Sequence, residues 1–254
     1  MKPTAQQLKE WRKLRMGKYR KRNRLFIAEG VRTVEQILMN GAVRPAAVLR
    51  REGHPDPLSF ESDIPLFEVS AEEFNSLCDT ETPQGVLAVC EVPEPAGTDI
   101  LIRTQGIILA LDAVQDPGNL GTIIRTATWF GAGAILFGRG CADPFHPKVV
   151  RSTAGATGAL PYLHGDLTEL LPLFEESGRN VILLDAGENS LNLKEAVPVQ
   201  NPVLVIGNEA NGIDPKLFSG ERTAVHIPGA GSMAESLNAS VASAIALFYF
   251  TDFL

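Results

Sequence analysis

Two hydrophobic rhythms alternate along this chain and predict its elements. Within Gln6–Met16, Leu8, Trp11 and Leu14 recur at helical spacing. Leu25–Ala28 reads as a strand, and Glu29-Gly30 leads into a helix over Val31–Met39 with Val34, Ile37 and Leu38 on one face; Asn40-Gly41 stops it. Ala46–Leu49 and Pro65–Val69 are strand-length, separated by a proline-broken loop at His54–Pro57. Ser70, with Glu73 three residues on, has the capping-box pattern of a helix start, and Gln84–Cys90 is another strand. Glu91–Gly97 (EVPEPAG) is a proline-rich linker.

From Gln105 onward strands and helices alternate regularly. Strands are expected at Ile107–Val114, Ala134–Phe137, Tyr162–Leu163, Val181–Ala186, Val203–Ile206 and Ala224–Ile227. Helices are expected at Leu120–Gly131, near Val149–Thr157, at Leu167–Ser177 and at Ser236–Phe250. Near-continuous apolar strands need both sheet faces covered, so this is an α/β chain with a mostly parallel C-terminal sheet. The organisation read from the pattern is a basic arm or helix (1–24), a small α/β domain (25–92), a linker (93–104) and a larger α/β domain (105–254).

Composition narrows the class. A chain of 254 residues holds one large domain or two ordinary ones. No apolar run approaches the roughly 18 residues of a membrane span, and the polar, basic start has no signal-peptide core. Cys78, Cys90 and Cys141 are odd in number and scattered, which excludes a disulfide framework and a zinc knuckle and fits a reducing cytoplasm. His146, His164 and His226 stand alone, so no metal is expected.

Charge is unevenly placed. Residues 1–24 hold ten Lys or Arg against the single acid Glu10, leaving 13 basic and 29 acidic groups on the other 230 residues, a net of −16. A basic segment on an acidic body suits a polyanion binder with one contact surface. Trp11 and Tyr19, interleaved with these charges, suit either stacking on bases or anchoring the helix on the body.

Three stretches combine apolar strands with polar turns: LDAVQDPGNLGTIIRTATWFGAGAILF (Leu111–Phe137), VLVIGNEANGI (Val203–Ile213) and HIPGAGSMAESLNASVASAIALF (His226–Phe248). Strand ends of an open α/β sheet are where ligands bind. Asn119 stands as the N-cap of the helix beginning at Leu120, and Arg125, under two turns on, offers a fork for phosphate or carboxylate. Gly207 allows close backbone approach. Glu209, ending a buried strand, needs a donor, either Arg125 or the helix start near Asp214. Ser236 or Asn238 could cap the last helix, whose Val241, Ala244, Ile245, Leu247 and Phe248 serve core or interface. No glycine-rich phosphate loop follows a strand, which leaves a nicotinamide-dependent enzyme unsupported.

Taken in order and at these spacings, DPGNLGTIIRTA, VIGNEANGI and ESLNASVA resemble the three motifs of the SpoU (TrmH-type) RNA 2′-O-ribose methyltransferases of the SPOUT class, over residues 105–254. LFIAEG (Leu25–Gly30) and TPQGVLAV (Thr82–Val89) resemble the small substrate-binding domain often fused to them. The resemblance implies a trefoil-knotted parallel sheet and a homodimer. It implies S-adenosylmethionine held by Leu184, Asp185, Ala186, Gly187, Gly207 and Ile227, with Leu237 against the adenine. It implies Asn119, Arg125, Glu209, Ser236 and Asn238 as the polar catalytic set, and RNA, with ribosomal RNA the expected target, as substrate. No membrane and no metal enter this reading. The alternatives are a base-nitrogen RNA methyltransferase of the same knotted class and an RNA-binding protein that has lost catalysis.

Overall fold

The computed structural model describes residues 1–54, 63–187, 189–197, 199–230 and 236–251. The proline-broken loop lies outside them from Pro55 onward, as does most of the Gly229–Ala234 loop, together with Glu235. The strands are β1 (Leu25–Glu29), β2 (Pro45–Arg51), β3 (Leu66–Val69), β4 (Val86–Glu91), β5 (Ile108–Leu111), β6 (Ala134–Phe137), β7 (Tyr162–His164), β8 (Val181–Leu184), β9 (Leu191–Asn192), β10 (Val203–Ile206) and β11 (Thr223–His226). The α-helices are α1 (Ala5–Arg12), α2 (Gly17–Asn23), α3 (Val31–Asn40), α4 (Ala71–Leu77), α5 (Thr98–Arg103), α6 (Pro117–Trp129), α7 (Pro147–Ser152), α8 (Leu167–Glu176) and α9 (Ala239–Thr251).

The chain forms two compact units. The first contains residues 1–94 and, from further along, Asp143–Ala159. Its sheet has the order β1-β4-β2-β3, with β4 antiparallel to both neighbours and β2 parallel to β3. Leu8, Trp11 and Leu14 are buried with Leu49, Phe67, Phe74 and Leu87, so the N-terminal helices cover this sheet. Trp11 meets Phe67 edge-on at 5.7 Å between ring centroids, which assigns it to anchoring. Arg20, 3 % exposed, pairs with Asp143 at 2.6 Å and donates to the carbonyl of Leu14. The capping box at Ser70 and Glu73 is present, and a second one, formed by Thr4 and Gln7, opens α1. The helix expected near Val149–Thr157 runs instead over Pro147–Ser152, capped by His146, and lies in this unit.

The second unit contains Pro95–Ala142 and residues from Leu160 on. Its seven strands are all parallel, in the order β7-β6-β5-β10-β8-β11-β9. Ile108, Ala110, Leu136, Leu183, Val203 and Val205 share one face with Leu167, Leu171 and Phe174 of α8. The alternate residues Leu109, Leu111, Ile135, Ile182, Leu204 and Ile206 are equally buried, so both faces are covered as the apolar runs require. The chain walks outward from β5 to β7, returns beyond β5 to β8, and later inserts β10 between them. Such a reversal of strand order leaves a crevice at the carboxyl ends of the strands. Two elements were not legible in the pattern: α5, a six-residue helix within the expected linker, and the two-residue β9.

Candidate active site

The site assembles at the carboxyl edge of β5, β10, β8 and β11. Register aligns Leu111 with Ile206, Ile206 with Leu184, and Leu184 with Val225. The residues following β10, β8 and β11 are therefore neighbours: Gly207, the Asp185–Gly187 turn and Ile227. Leu184 and Ile227 are half-buried, Ala186 and Gly187 exposed, and Leu237, before α9, keeps 48 % of its surface in solvent. Apolar side chains beside loop backbone at adjacent strand ends suit the adenine and ribose of a nucleoside cofactor.

A chain of hydrogen bonds joins the three motif stretches. Asn238 accepts from the amide of Ser240 at 2.9 Å and from its hydroxyl at 2.6 Å, and so caps α9. An amide N–H can only donate, so this fixes which end of the Asn238 side chain is oxygen. Asn238 Nδ2 then donates to Asn119 Oδ1 at 2.9 Å, and Asn119 Nδ2 donates to Glu209 Oε1 at 3.0 Å. Glu209 also accepts, at 3.3 Å, from the amides of Gln115 and Asp116. Asn119, Glu209 and Asn238 are thus brought together. Arg125, exposed on α6, and Ser236, exposed before α9, make no hydrogen bond or ion pair among the described residues.

Two local expectations are corrected. Asn119 is not the helix cap: α6 begins at Pro117, and Asp116 accepts from the amide of Asn119 at 2.8 Å. Proline at the first helical position, where no donor is needed, was the signal available in the sequence. Glu209 takes its donors from Asn119 and the turn before α6 rather than from Arg125; Asp214 caps its own 3-10 turn. Gly207 also has a structural reason to lack a side chain. A Cβ there would lie 2.4 Å from the carbonyl carbon of Gly212, so the missing atom admits the tight Asn208–Gly212 pairing.

Residues not singled out from the sequence complete the scaffold. Asn208 donates to the carbonyl of Ala113 at 2.7 Å and accepts from the amides of Ala210 and Asn211. Asp112 accepts from the amide of Asp214 at 2.7 Å, and its burial raises its carboxyl above the usual carboxylate range. Ser190 hydrogen-bonds the carbonyl of Gly187 and the ring of His226, which ties the turn after β8 to the end of β11. Burial pushes the thiols of Cys78 and Cys90 up to about 12 and that of Cys141 to about 11, so none is poised as a thiolate nucleophile. Among the described residues no group of three or more His, Cys, Asp or Glu is placed to hold a metal, and no helix is long and apolar enough to cross a membrane.

The three motif turns are thus tied at one edge of a parallel α/β sheet by Asn238, Asn119 and Glu209, with the exposed Arg125 close in sequence. Residues 106–248 match the family model of the SpoU rRNA methylases, and residues 5–88 match that of an MRM3-like substrate-binding domain. The chain is 34 % identical over 244 residues to the 23S rRNA (guanosine(2553)-2′-O)-methyltransferase RlmP of Bacillus subtilis, covering 96 % of this chain and 95 % of that one. A TrmH-family RNA methyltransferase structure from Porphyromonas gingivalis superposes with a TM-score of 0.83 at 32 % identity, covering 98 % of each chain. An AdoMet-bound rRNA methyltransferase structure from Sinorhizobium meliloti gives 0.85 at 28 %, covering 100 % of this chain and 97 % of that one. The chain belongs to the SpoU rRNA methylase family.

Proposed function

We propose that the chain methylates a ribose 2′-OH of ribosomal RNA, with Asn119, Arg125, Glu209, Ser236 and Asn238 as its polar active-site set. The observation that carries this reading is the Asn238–Asn119–Glu209 relay at the carboxyl edge of the parallel sheet. The residues around that edge fit the cofactor: Leu184, Ile227 and Leu237 offer apolar surface to the adenine, and Asp185, Ala186, Gly187 and Gly207 offer loop backbone. Bound there, S-adenosylmethionine supplies a methyl group already activated by positive sulfur.

What the chain must add is position and the handling of one proton. Asn119 keeps a second N–H and a second lone pair outside the relay, enough to orient a ribose hydroxyl. Glu209 holds Asn119 and the turn before α6 in place. Arg125, uncompensated and exposed, clamps the phosphate beside the target ribose and polarises the hydroxyl. A guanidinium rarely deprotonates, so the proton leaves through phosphate or solvent. Ser236 lies two residues from Asn238 and steadies the loop against the ribose. We read the insertion of β10 between β5 and β8 as part of a trefoil knot that draws the cofactor loops together.

The same reading includes a homodimer, supported by exposed Trp129, Val241, Ile245 and Phe248, and a cytoplasmic setting, supported by three free cysteines. Methylation of a base nitrogen needs a carboxylate free to act as base, and Glu209 is already committed to Asn119 and two backbone amides. Arg125→Ala is expected to leave S-adenosylmethionine binding unchanged by titration calorimetry and to lower methyl transfer by roughly a hundredfold or more. Retained turnover removes Arg125 from the mechanism. Mapping 2′-O-methyl sites in ribosomal RNA from cells with and without the protein tests the substrate.

A further inference from the structure

The N-terminal unit holds a cleft of about 610 Å³ that the catalytic reading does not use. It falls within the roughly 300–1,000 Å³ of clefts that take small organic ligands. Gly30 and Arg32, at the start of α3, line one side; Thr82 and Pro83, ahead of β4, line the other; Arg151 of α7 contributes as well. These are parts of the same two stretches, LFIAEG and TPQGVLAV, that stand out in the N-terminal sequence.

Four observations give the cleft a chemistry. Arg32 is exposed and makes no ion pair or hydrogen bond among the described residues. Arg151 pairs with Asp79 at 3.0 Å through one terminal nitrogen, while the other, Nη1, is buried without a hydrogen-bond partner, 4.0 Å from Glu29. A buried donor lacking an acceptor is costly unless a ligand provides one. Gly30, at φ +99°, brings no capping side chain to the ten-residue α3. The Val31 amide turns to Gln84 at 3.2 Å, and those of Arg32 and Thr33 have no acceptor among the described residues, so the positive end of the helix is open. Glu29 also lines the cleft, its carboxylate accepting from the Asp79 amide and the Thr80 hydroxyl and lying 4.0 Å from Arg151, while Arg32 keeps its charge unpaired among the described residues. Pro83, Val31 and Val86 add apolar wall.

We propose that this cleft holds one unstacked nucleotide of the RNA substrate, with its phosphate on Arg32 and the open amides of α3, its base against Pro83 and Val31, and an acceptor atom on Arg151 Nη1. One cation left without an ion pair among the described residues and one helix end match a single diester phosphate. A free polyphosphate nucleotide would need more cations or a glycine-rich loop. The proposal rests on the reading of the chain as an RNA methyltransferase.

The test uses the full chain, a fluorescent single-stranded RNA dodecamer of mixed sequence and the same RNA carrying 4-thiouridine. Arg32→Glu is expected to weaken RNA binding about tenfold by anisotropy, with unchanged circular dichroism and unchanged S-adenosylmethionine affinity. Photocrosslinks are expected on peptides containing Val31–Thr33 or Thr82–Gln84. Wild-type affinity in Arg32→Glu overturns the proposal, and so do crosslinks confined to other peptides, whatever the variant does. Displacement of the RNA from this cleft by micromolar AMP also overturns it, by making the cleft a free-nucleotide site. If the wild type binds no RNA at all, the underlying methyltransferase reading falls with it; if the wild type binds and the variant is unaffected, only the cleft does.

Discussion

Asn119, in the first turn of α6, hydrogen-bonds both Glu209 after β10 and Asn238 before α9. Asn119→Ala therefore removes one hydrogen bond each from Glu209 and Asn238, both exposed to solvent, at a cost of about 0.5–1.5 kcal/mol per bond, or roughly 2- to 13-fold each in rate if the loss falls on the transition state. Asn238→Ala breaks the same relay at its other end and uncaps α9 as well. Because the three residues act in series, the Asn119→Ala/Asn238→Ala double variant is expected to lose clearly less in single-turnover methyl transfer than the two singles multiplied together. Multiplicative losses would show that the residues act independently. The residue types of this site were legible from the chain, but their partners were not. Glu209 and Asn119 are ninety positions apart, and only the parallel register of β5 with β10 brings their turns together. Asn119 and Asp116 are equally good caps by type; Pro117, suited to the first helical position, decides for Asp116.

Among elements, α9 is the least self-explanatory. Its sequence is apolar all round, which in a helix means burial on every side, yet Val241, Ile245 and Phe248, spaced four and three residues apart, stay 46 %, 37 % and 59 % exposed. The opposite side, with Ala246, Leu247 and Phe250, is fully buried. On α6, against which α9 packs, Trp129 is 85 % exposed, and Phe130 meets Phe248 at 6.2 Å. An apolar stripe of this kind is covered by something, and a second copy of the chain is the occupant we infer. Ile245→Glu with Phe248→Glu is expected to shift the protein from dimer to monomer in sedimentation experiments and to abolish methyl transfer. A wild type that sediments as a monomer at micromolar concentration would sink the inference. The long strands and helices of this unit were readable because each carries a whole period of its pattern. Helix α5 and strand β9 are too short to show one, and their residues are ordered by the sheet they join.

At the scale of the whole chain the decisive quantity is the split of charge between residues 1–24 and the rest. The structure divides the ten N-terminal cations by task. Arg20 is buried on Asp143, Lys2 and Lys13 pair with Glu52 and Glu10, Arg24 pairs with Glu94, and Arg12 donates to the Ser76 hydroxyl. Lys9, Arg15, Lys21 and Arg22 are exposed with no ion pair or hydrogen bond among the described residues, and Lys18 lies over the Tyr19 ring at 5.0 Å. Deleting residues 1–24 would not test this surface cleanly, since it also strips Leu8, Trp11 and Leu14 from the core of the N-terminal unit. Replacing Lys9, Lys18, Lys21 and Arg22 together by Gln removes four charges and no buried group. Each phosphate contact on a single strand contributes about 0.7 to the slope of log affinity against log salt. If all four side chains meet phosphates, the slope should flatten by roughly 3, affinity at low salt should fall steeply, and S-adenosylmethionine binding should not change. An unaltered slope would assign these cations to solubility and move the RNA contact surface elsewhere on the chain.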